Sequence, residues 1–224
     1  MNEIYKQRVM LKREEISELL ALFQQAASNH QSALGMGREE MFCRGLLWMI
    51  TRQKLRVNRI PISGEDVTLS TWLSEERHGM YLRQYELTDA DGAVLCQAAA
   101  VWGLVGAESR KLSPLRLKMP IHQEKHQLPR FPLLRPVETE QKYSFTVTAE
   151  YLDENGHMNN ARYFNVVAPI LPKNLALRAA QVDYHMEARE GDSLAIGYVM
   201  EENRLLIQAR GDRGLCFRMK LDYE

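Results

Sequence analysis

Between residues 108 and 141 the hydrophobic periodicity that marks helices and strands stops, and five of the eight prolines gather: Pro114, Pro120, Pro129, Pro132 and Pro136. Proline fixes φ and removes a backbone donor, so this stretch reads as a linker with one domain before it, residues 1–107, and another after it, residues 142–224. Each side must then build its own core. The 45% hydrophobic content of the 224 residues is enough for two small ones.

The two sides repeat one order of elements without an evident sequence repeat. On the first side a short strand is expected at residues 4–10. Ile16, Leu19, Leu20, Phe23, Ala26 and Ala27 then recur at the three-and-four spacing of one helix face. Gly35 and Gly37 interrupt this helix, and residues 41–50 are expected to continue it. Leu55, Val57 and Ile60 lead into DVTLSTWLSEE, MYLRQYELTDA and AVLCQAAAVWGLVG, whose alternation and β-branched or aromatic residues predict strands. Asp91-Gly92, between the last two, is a hairpin-turn signal. On the second side the pattern predicts a strand over 142–152 and a helical stretch over 160–168. Strands follow from about residues 179, 193, 204 and 215, the last carried by Leu215, Phe217, Met219 and Leu221. A sheet wrapped round one helix, made twice and packed side by side, explains this order: an α+β fold.

Charge and cysteine usage exclude several classes. The 29 basic and 29 acidic residues cancel, so no whole-molecule field points to nucleic acid or an anionic membrane. Cys43, Cys96 and Cys216 are far apart and lack C-x-x-C spacing, which fits reduced thiols better than a disulfide scaffold or a zinc site. The start MNEIYKQRVMLKREE has no apolar core of a signal peptide, and no apolar run approaches the ~20 residues of a membrane span. The expected location is the cytoplasm, without membrane insertion, as a monomer or homodimer.

The chemistry concentrates in YLDENGHMNNARYF, residues 151–164. If this segment is extended, Asp153, Asn155 and His157 project from one side of the backbone and converge. Asn159 and Asn160 offer an N-cap for the helix that follows, placing the cluster beside free backbone N–H groups. An acid/base group next to an oxyanion-binding dipole suits hydrolysis of an ester or thioester. Taken alone, DENG is a common turn and the Asn pair a common cap. Asp153, His157, His185 and Glu187 are also suitable metal-ligand types, but no H-E-x-x-H or comparable spacing is present, and neither metal nor cofactor is expected. His122 and His126 sit in the proline-flanked stretch, where a solvated surface accounts for them.

YLDENGHMNNARYF together with VDYHMEAREGDS resembles the acyl-acyl carrier protein thioesterases, whose fold is a tandem pair of hotdog domains, each an antiparallel sheet wrapped round a central helix. NHQSALGMGREEMFCRGLLWMITRQKLRVNRIPISGEDVTLSTW and AAAVWGLVGAESRKLS carry the same resemblance in the first half. It implies that Asp153, Asn155 and His157 are catalytic and that Glu187 occupies the family's downstream glutamate position. Plant members commonly have cysteine after that glutamate, once proposed as a nucleophile, whereas Ala188 stands here. The helix of the second half is also shorter than the family's, closed by Pro169 and Pro172.

The implied reaction is hydrolysis of acyl-acyl carrier protein to free fatty acid and holo carrier protein by activated water. Asp153 fixes the His157 tautomer or positions Asn155, Asn155 donates to the carbonyl oxygen or to the water, and either Glu187 or His157 takes the proton. The first half has no counterpart of D-x-N-x-H, so it is expected to bind the acyl chain. Trp48, Met80 and Trp102, with Met36, Met41 and Met49, are candidate wall residues, though all are also ordinary core types, and Asn159 and Asn160 are candidate substrate contacts. Between Arg110 and Arg135 lie Arg110, Lys111, Arg116, Lys118, Lys125, Arg130 and Arg135 against the single acid Glu124. Of these, Arg110, Lys111, Arg116 and Lys118 are candidate docking residues for an acidic carrier protein. The alternatives are an acyl-coenzyme A thioesterase and a non-catalytic acyl-binding protein. All four catalytic candidates are retained, which counts against the latter.

Overall fold

Helix α1 (Ile16–Ala33) buries Leu19, Leu20, Phe23, Ala26, Ala27 and His30 along the face that their spacing defines. Each large apolar side chain removed from water there is worth ~1.5–3 kcal/mol. Its target is a sheet: Phe23 stacks on Tyr85 with ring centroids 5.1 Å apart. These coordinates are a computed structural model describing residues 3–124, 127–171 and 176–224. Lys125, His126 and Pro172 lie outside the described residues. The chain divides into two units, the first ending at Phe131 and the second spanning Pro132–Glu224.

In the first unit, β1 (Ile4–Met10), β2 (Leu46–Val57), β3 (Asp66–Arg77), β4 (Met80–Thr88) and β5 (Val94–Gly106) form an antiparallel sheet in the order β1-β3-β4-β5-β2. The β4–β5 turn is closed by Asp89, whose carboxylate accepts from the Asp91 and Ala93 N–H groups, with Gly92 at φ +83°. The expectation that residues 41–50 continue as helix is corrected. Helix α2 (Arg38–Cys43) stops because Gly45 adopts φ +68°, and Leu46–Val57 is strand, paired along its length with β5. An apolar run this short fits either conformation, and the hydrogen-bonding partner decides.

Tyr81, Arg83 and Tyr85 alternate with Leu82 and Gln84 along β4 and so face opposite sides of the sheet. On the α1 side Arg83 is wholly buried, and its Nη1 lies 3.0 Å from His30 Nδ1 and 3.2 Å from Thr71 Oγ1. A guanidinium only donates, so Nδ1 of His30 is the acceptor. Burial pulls Arg83 down to about 10, which leaves it charged at neutral pH. The other side is covered by the proline-rich stretch. Leu128 and Phe131 pack with Leu82, Ala99 and Val101. Gln84 fixes them: its Nε2 donates to Leu128 O at 2.8 Å and its Oε1 accepts from Leu128 N at 3.1 Å. Residues read as linker from sequence therefore form a strap over this sheet. Among the described residues between β5 and Gln141 it holds no helix or strand, in keeping with its prolines, yet it is packed.

In the second unit, β6 (Gln141–Thr146), β7 (Leu177–Tyr184), β8 (Ser193–Glu201), β9 (Arg204–Gly211) and β10 (Gly214–Tyr223) form an antiparallel sheet in the order β7-β10-β9-β8-β6. The strand expected over residues 142–152 ends early, at Thr146. The Val147 N–H bonds to Asp192 O at 3.0 Å instead of continuing a ladder, and Ala149–Tyr151 forms one 3-10 turn. The central helical stretch is short: a 3-10 turn at Asn160–Arg162, α3 (Tyr163–Val167) and a second 3-10 turn at Ala168–Ile170. Pro169 lies within the last turn. Val166, Val167, Phe217, Met219 and Leu221 are buried at the core of this unit.

Candidate active site

The segment carrying Asp153, Asn155 and His157 is a turn, which corrects the extended geometry expected from sequence. Leu152 and Met158 form an antiparallel bridge across it. The Asp153 N–H donates to His157 O at 2.7 Å, and Gly156 takes φ +73°, a conformation glycine adopts without strain. The Asp153 carboxylate builds the inside of the turn. Its Oδ1 accepts from Asn155 N at 2.8 Å and His157 N at 3.3 Å, and its Oδ2 accepts from Asn155 Nδ2 at 3.3 Å. Aspartate supplies such local acceptors more readily than it joins a ladder. Of the two tasks expected for Asp153, these contacts serve the positioning of Asn155.

After the turn, Asn159 caps as its type predicts: its Oδ1 accepts from Ala161 N at 2.9 Å. The oxyanion-binding helix start expected beside it is weak, because α3 has only five residues and few aligned peptide dipoles. Asn160 contributes its carbonyl, which accepts from the Tyr184 hydroxyl at 3.1 Å.

His157 and Glu187 meet across the unit. Nε2 of His157 lies 3.1 Å from Oε2 of Glu187, with side-chain exposures of 11% and 32%. Glu187 stands in the loop between β7 and β8, and this loop is tied down on several sides. The Met158 N–H donates to Ala188 O at 2.8 Å, joining the His157 turn to the residue after Glu187. The Tyr163 hydroxyl is hydrogen-bonded to the Ala188 backbone; burial first, and then the nearby Cys216, Glu187 and Asp153, push its phenol well above the ordinary value. Tyr163 itself is wedged edge-on against Tyr184 and Phe217, each 5.1 Å away. Arg213, in the β9–β10 turn, donates from Nη2 to Glu187 O at 3.0 Å and to Asp192 Oδ2 at 2.7 Å. Burial raises the Asp192 carboxyl, but the Arg189 N–H and the Arg213 guanidinium outweigh it and leave that group below its usual value.

Neither buried thiol supplies a nucleophile. Burial pushes Cys96 up to about 12 and also raises Cys216, while Ala188 carries only a methyl group. Among the described residues no three His, Cys, Asp or Glu side chains converge as metal ligands would.

The remaining candidates lie in the first unit. Trp48 and Trp102 meet edge-on at 6.5 Å and Trp48 meets Tyr81 at 5.3 Å, while the Trp48 indole donates to Met36 O. Met80 packs against the Leu82 cluster, and Trp102 is buried with its indole 3.3 Å from the Tyr85 hydroxyl. Among the basic candidates Lys111 and Lys118 are exposed, and Arg110 is half-buried at φ +54°. Arg116 is occupied by its own strap: its Nη1 donates to Pro114 O at 2.9 Å and its Nε lies 3.7 Å from Glu76. Sequence reasoning did not single out Tyr163, Asp192 or Arg213. Tyr163 stands in YLDENGHMNNARYF and could have been found there; Arg213 gave no signal beyond a glycine-flanked turn.

Residues 5–118 match the acyl-ACP thioesterase N-terminal domain and residues 134–212 the acyl-ACP thioesterase C-terminal domain. An acyl-[acyl-carrier-protein] hydrolase, chloroplastic, of Cuphea viscosissima is 27% identical over 225 residues, covering 89% of this chain and 52% of that protein. The chain thus spans about half the length of the curated relatives it matches. An acyl-ACP thioesterase structure from Bacteroides thetaiotaomicron aligns with a TM-score of 0.91 at 19% identity, covering 99% of this chain and 98% of that one. The 12:0-ACP thioesterase from Umbellularia californica aligns at 0.82 and 17%, covering 100% and 98%. At these identities the structures speak for the fold, two hotdog-type sheets each with its helical segment, and the two adjoining domain matches settle descent: this chain belongs to the acyl-ACP thioesterase family.

Proposed function

We propose that this protein hydrolyses the thioester of acyl-acyl carrier protein, releasing a free fatty acid and holo carrier protein, with water as the nucleophile. The observation that carries this reading is the 3.1 Å contact between His157 Nε2 and Glu187 Oε2 within the matched C-terminal domain. Glu187 is the more exposed partner, so its carboxylate takes the proton from water. His157, donating from Nε2, holds that carboxylate in place and stabilises the charge as it changes. The water oxygen forms the new bond to the thioester carbon. Collapse of the tetrahedral intermediate breaks the C–S bond, and the proton held by the pair passes to the departing thiolate. Asn155, oriented by Asp153, donates its amide to the developing oxyanion. Ala188 and the raised thiol of Cys216 support attack by water rather than by a protein sulfur.

The test is single-turnover hydrolysis of a panel of acylated carrier proteins, read as thiol release. His157→Ala and Glu187→Gln are each expected to lower kcat by about 10²–10⁴-fold, the usual worth of a positioned acid/base group. Full turnover in Glu187→Gln would move the base to His157, and full turnover in both variants would overturn the reading.

A further inference from the structure

The peptide group that joins Glu187 to Ala188 is held at both ends. Its carbonyl, on Glu187, accepts from Arg213 Nη2 at 3.0 Å, while Ala188 is hydrogen-bonded through its backbone to the buried Tyr163 hydroxyl and its own carbonyl accepts from Met158 N–H at 2.8 Å. Fixing a peptide plane narrows the directions in which the preceding side chain can leave the backbone, because only ψ of that residue and its χ rotations remain. Here that side chain is the carboxylate facing His157. Arg213 is itself anchored. The Asp192 carboxylate lies 2.7 Å from the same Nη2, accepts the Arg189 N–H at 2.9 Å, and belongs to a residue whose carbonyl accepts from Val147.

We propose that Arg213 is a positioning residue for catalysis: from the β9–β10 turn it grips the Glu187 carbonyl, using Asp192 as its counter-ion, and so holds the Glu187 carboxylate at His157. The inference rests on the reading of Glu187 and His157 as the reacting pair. Two donations from one nitrogen, one to a neutral carbonyl and one to a carboxylate, need a directional donor that stays charged, which arginine provides and lysine provides only in part. The side chain is half exposed and caps a turn rather than filling a core, so its loss leaves the sheet intact. What is lost is alignment, and small displacements of an acid/base group cost large factors in rate.

The experiment is a double-mutant cycle between Arg213→Met and Glu187→Gln, with kcat, KM and thermal midpoint measured for each variant on one acylated carrier protein. Arg213→Met is expected to lower kcat roughly tenfold with little change in KM, Arg213→Lys to recover part of that loss, and Asp192→Asn to fall between them. Because Arg213 works through Glu187, adding Arg213→Met to Glu187→Gln is expected to cost nothing further. The inference is overturned by wild-type kcat in Arg213→Met, by an equal fractional loss in the Glu187→Gln background, or by a loss of rate that tracks a loss of thermal midpoint across the Met, Lys and Asn variants. Failure of the underlying reading is distinguishable: in that case Glu187→Gln alone retains full turnover, whatever Arg213 does.

Discussion

In the proposed scheme the Asp153 carboxylate serves the chemistry without entering it. Both of its oxygens are used inside the turn, one on backbone N–H groups and one on the Asn155 amide. Asp153→Asn keeps the shape and one acceptor but turns the other into an NH2 group facing the Asn155 NH2. Two donors cannot pair, so the Asn155 amide rotates. We expect this variant to melt within about 4 °C of the parent, a change of about 1 kcal/mol for a chain this long, while kcat falls about tenfold. Unchanged kcat would remove Asn155 from the scheme. At this scale residue type was informative where side chains act locally. Asn159 announced a cap, whereas the turn that Asp, Asn and Gly favour was passed over for an extended segment, which the structure corrects. The residues that bear on Glu187 were hidden because their contacts join positions far apart in sequence: Arg213 lies 26 residues from the carbonyl that it grips.

The strap over the first sheet is a case where an element, rather than a residue, decides behaviour. Its His122 donates its backbone N–H to Leu73 O at 2.8 Å, and its ring lies edge-on to Trp72. Hydrogen bonds to Glu124 and then Glu3 raise the His122 pKa above its ordinary 6.5. A raised folded-state value means the contact stabilises the fold fully below about pH 6.5 and is lost as pH climbs through the folded value. NMR titration should place the His122 midpoint above 6.5. The stability gap between the parent and His122→Gln should be greatest near pH 6 and close by about pH 9; it will be small, since exposed pairs are weak. A midpoint at or below 6.5 would mean the carboxylates do not hold the ring. Strands with clean alternation, such as β10, were legible. Residues 46–50 and 147–152 were not, because their fate depends on partners: β5 recruits the first run into a ladder, and Asp192 takes the N–H that would have extended β6.

Across the whole chain the charges cancel, so docking of the proposed carrier-protein substrate would rely on local groups. Lys111 and Lys118 are exposed, whereas Arg116 is engaged with Glu76 and strap carbonyls, and its reversal would disturb folding before docking. Reversing Lys111 and Lys118 together to Glu is expected to raise KM for acylated carrier protein severalfold and flatten its salt dependence. KM for the same acyl group on coenzyme A should stay put. An unchanged carrier-protein KM would place docking elsewhere. The division into two similarly ordered halves was visible in sequence because periodicity is a local property, while the packing of the proline-rich stretch was not. That packing has a practical side. A gene fragment stopped at codon 107 encodes a sheet whose Leu82, Ala99 and Val101 have lost their cover, an invitation to aggregate. One stopped at codon 131 carries its own lining of Leu128 and Phe131. Chimaeras that exchange halves between relatives should therefore be joined after Phe131, with the strap inherited from the parent of the first sheet.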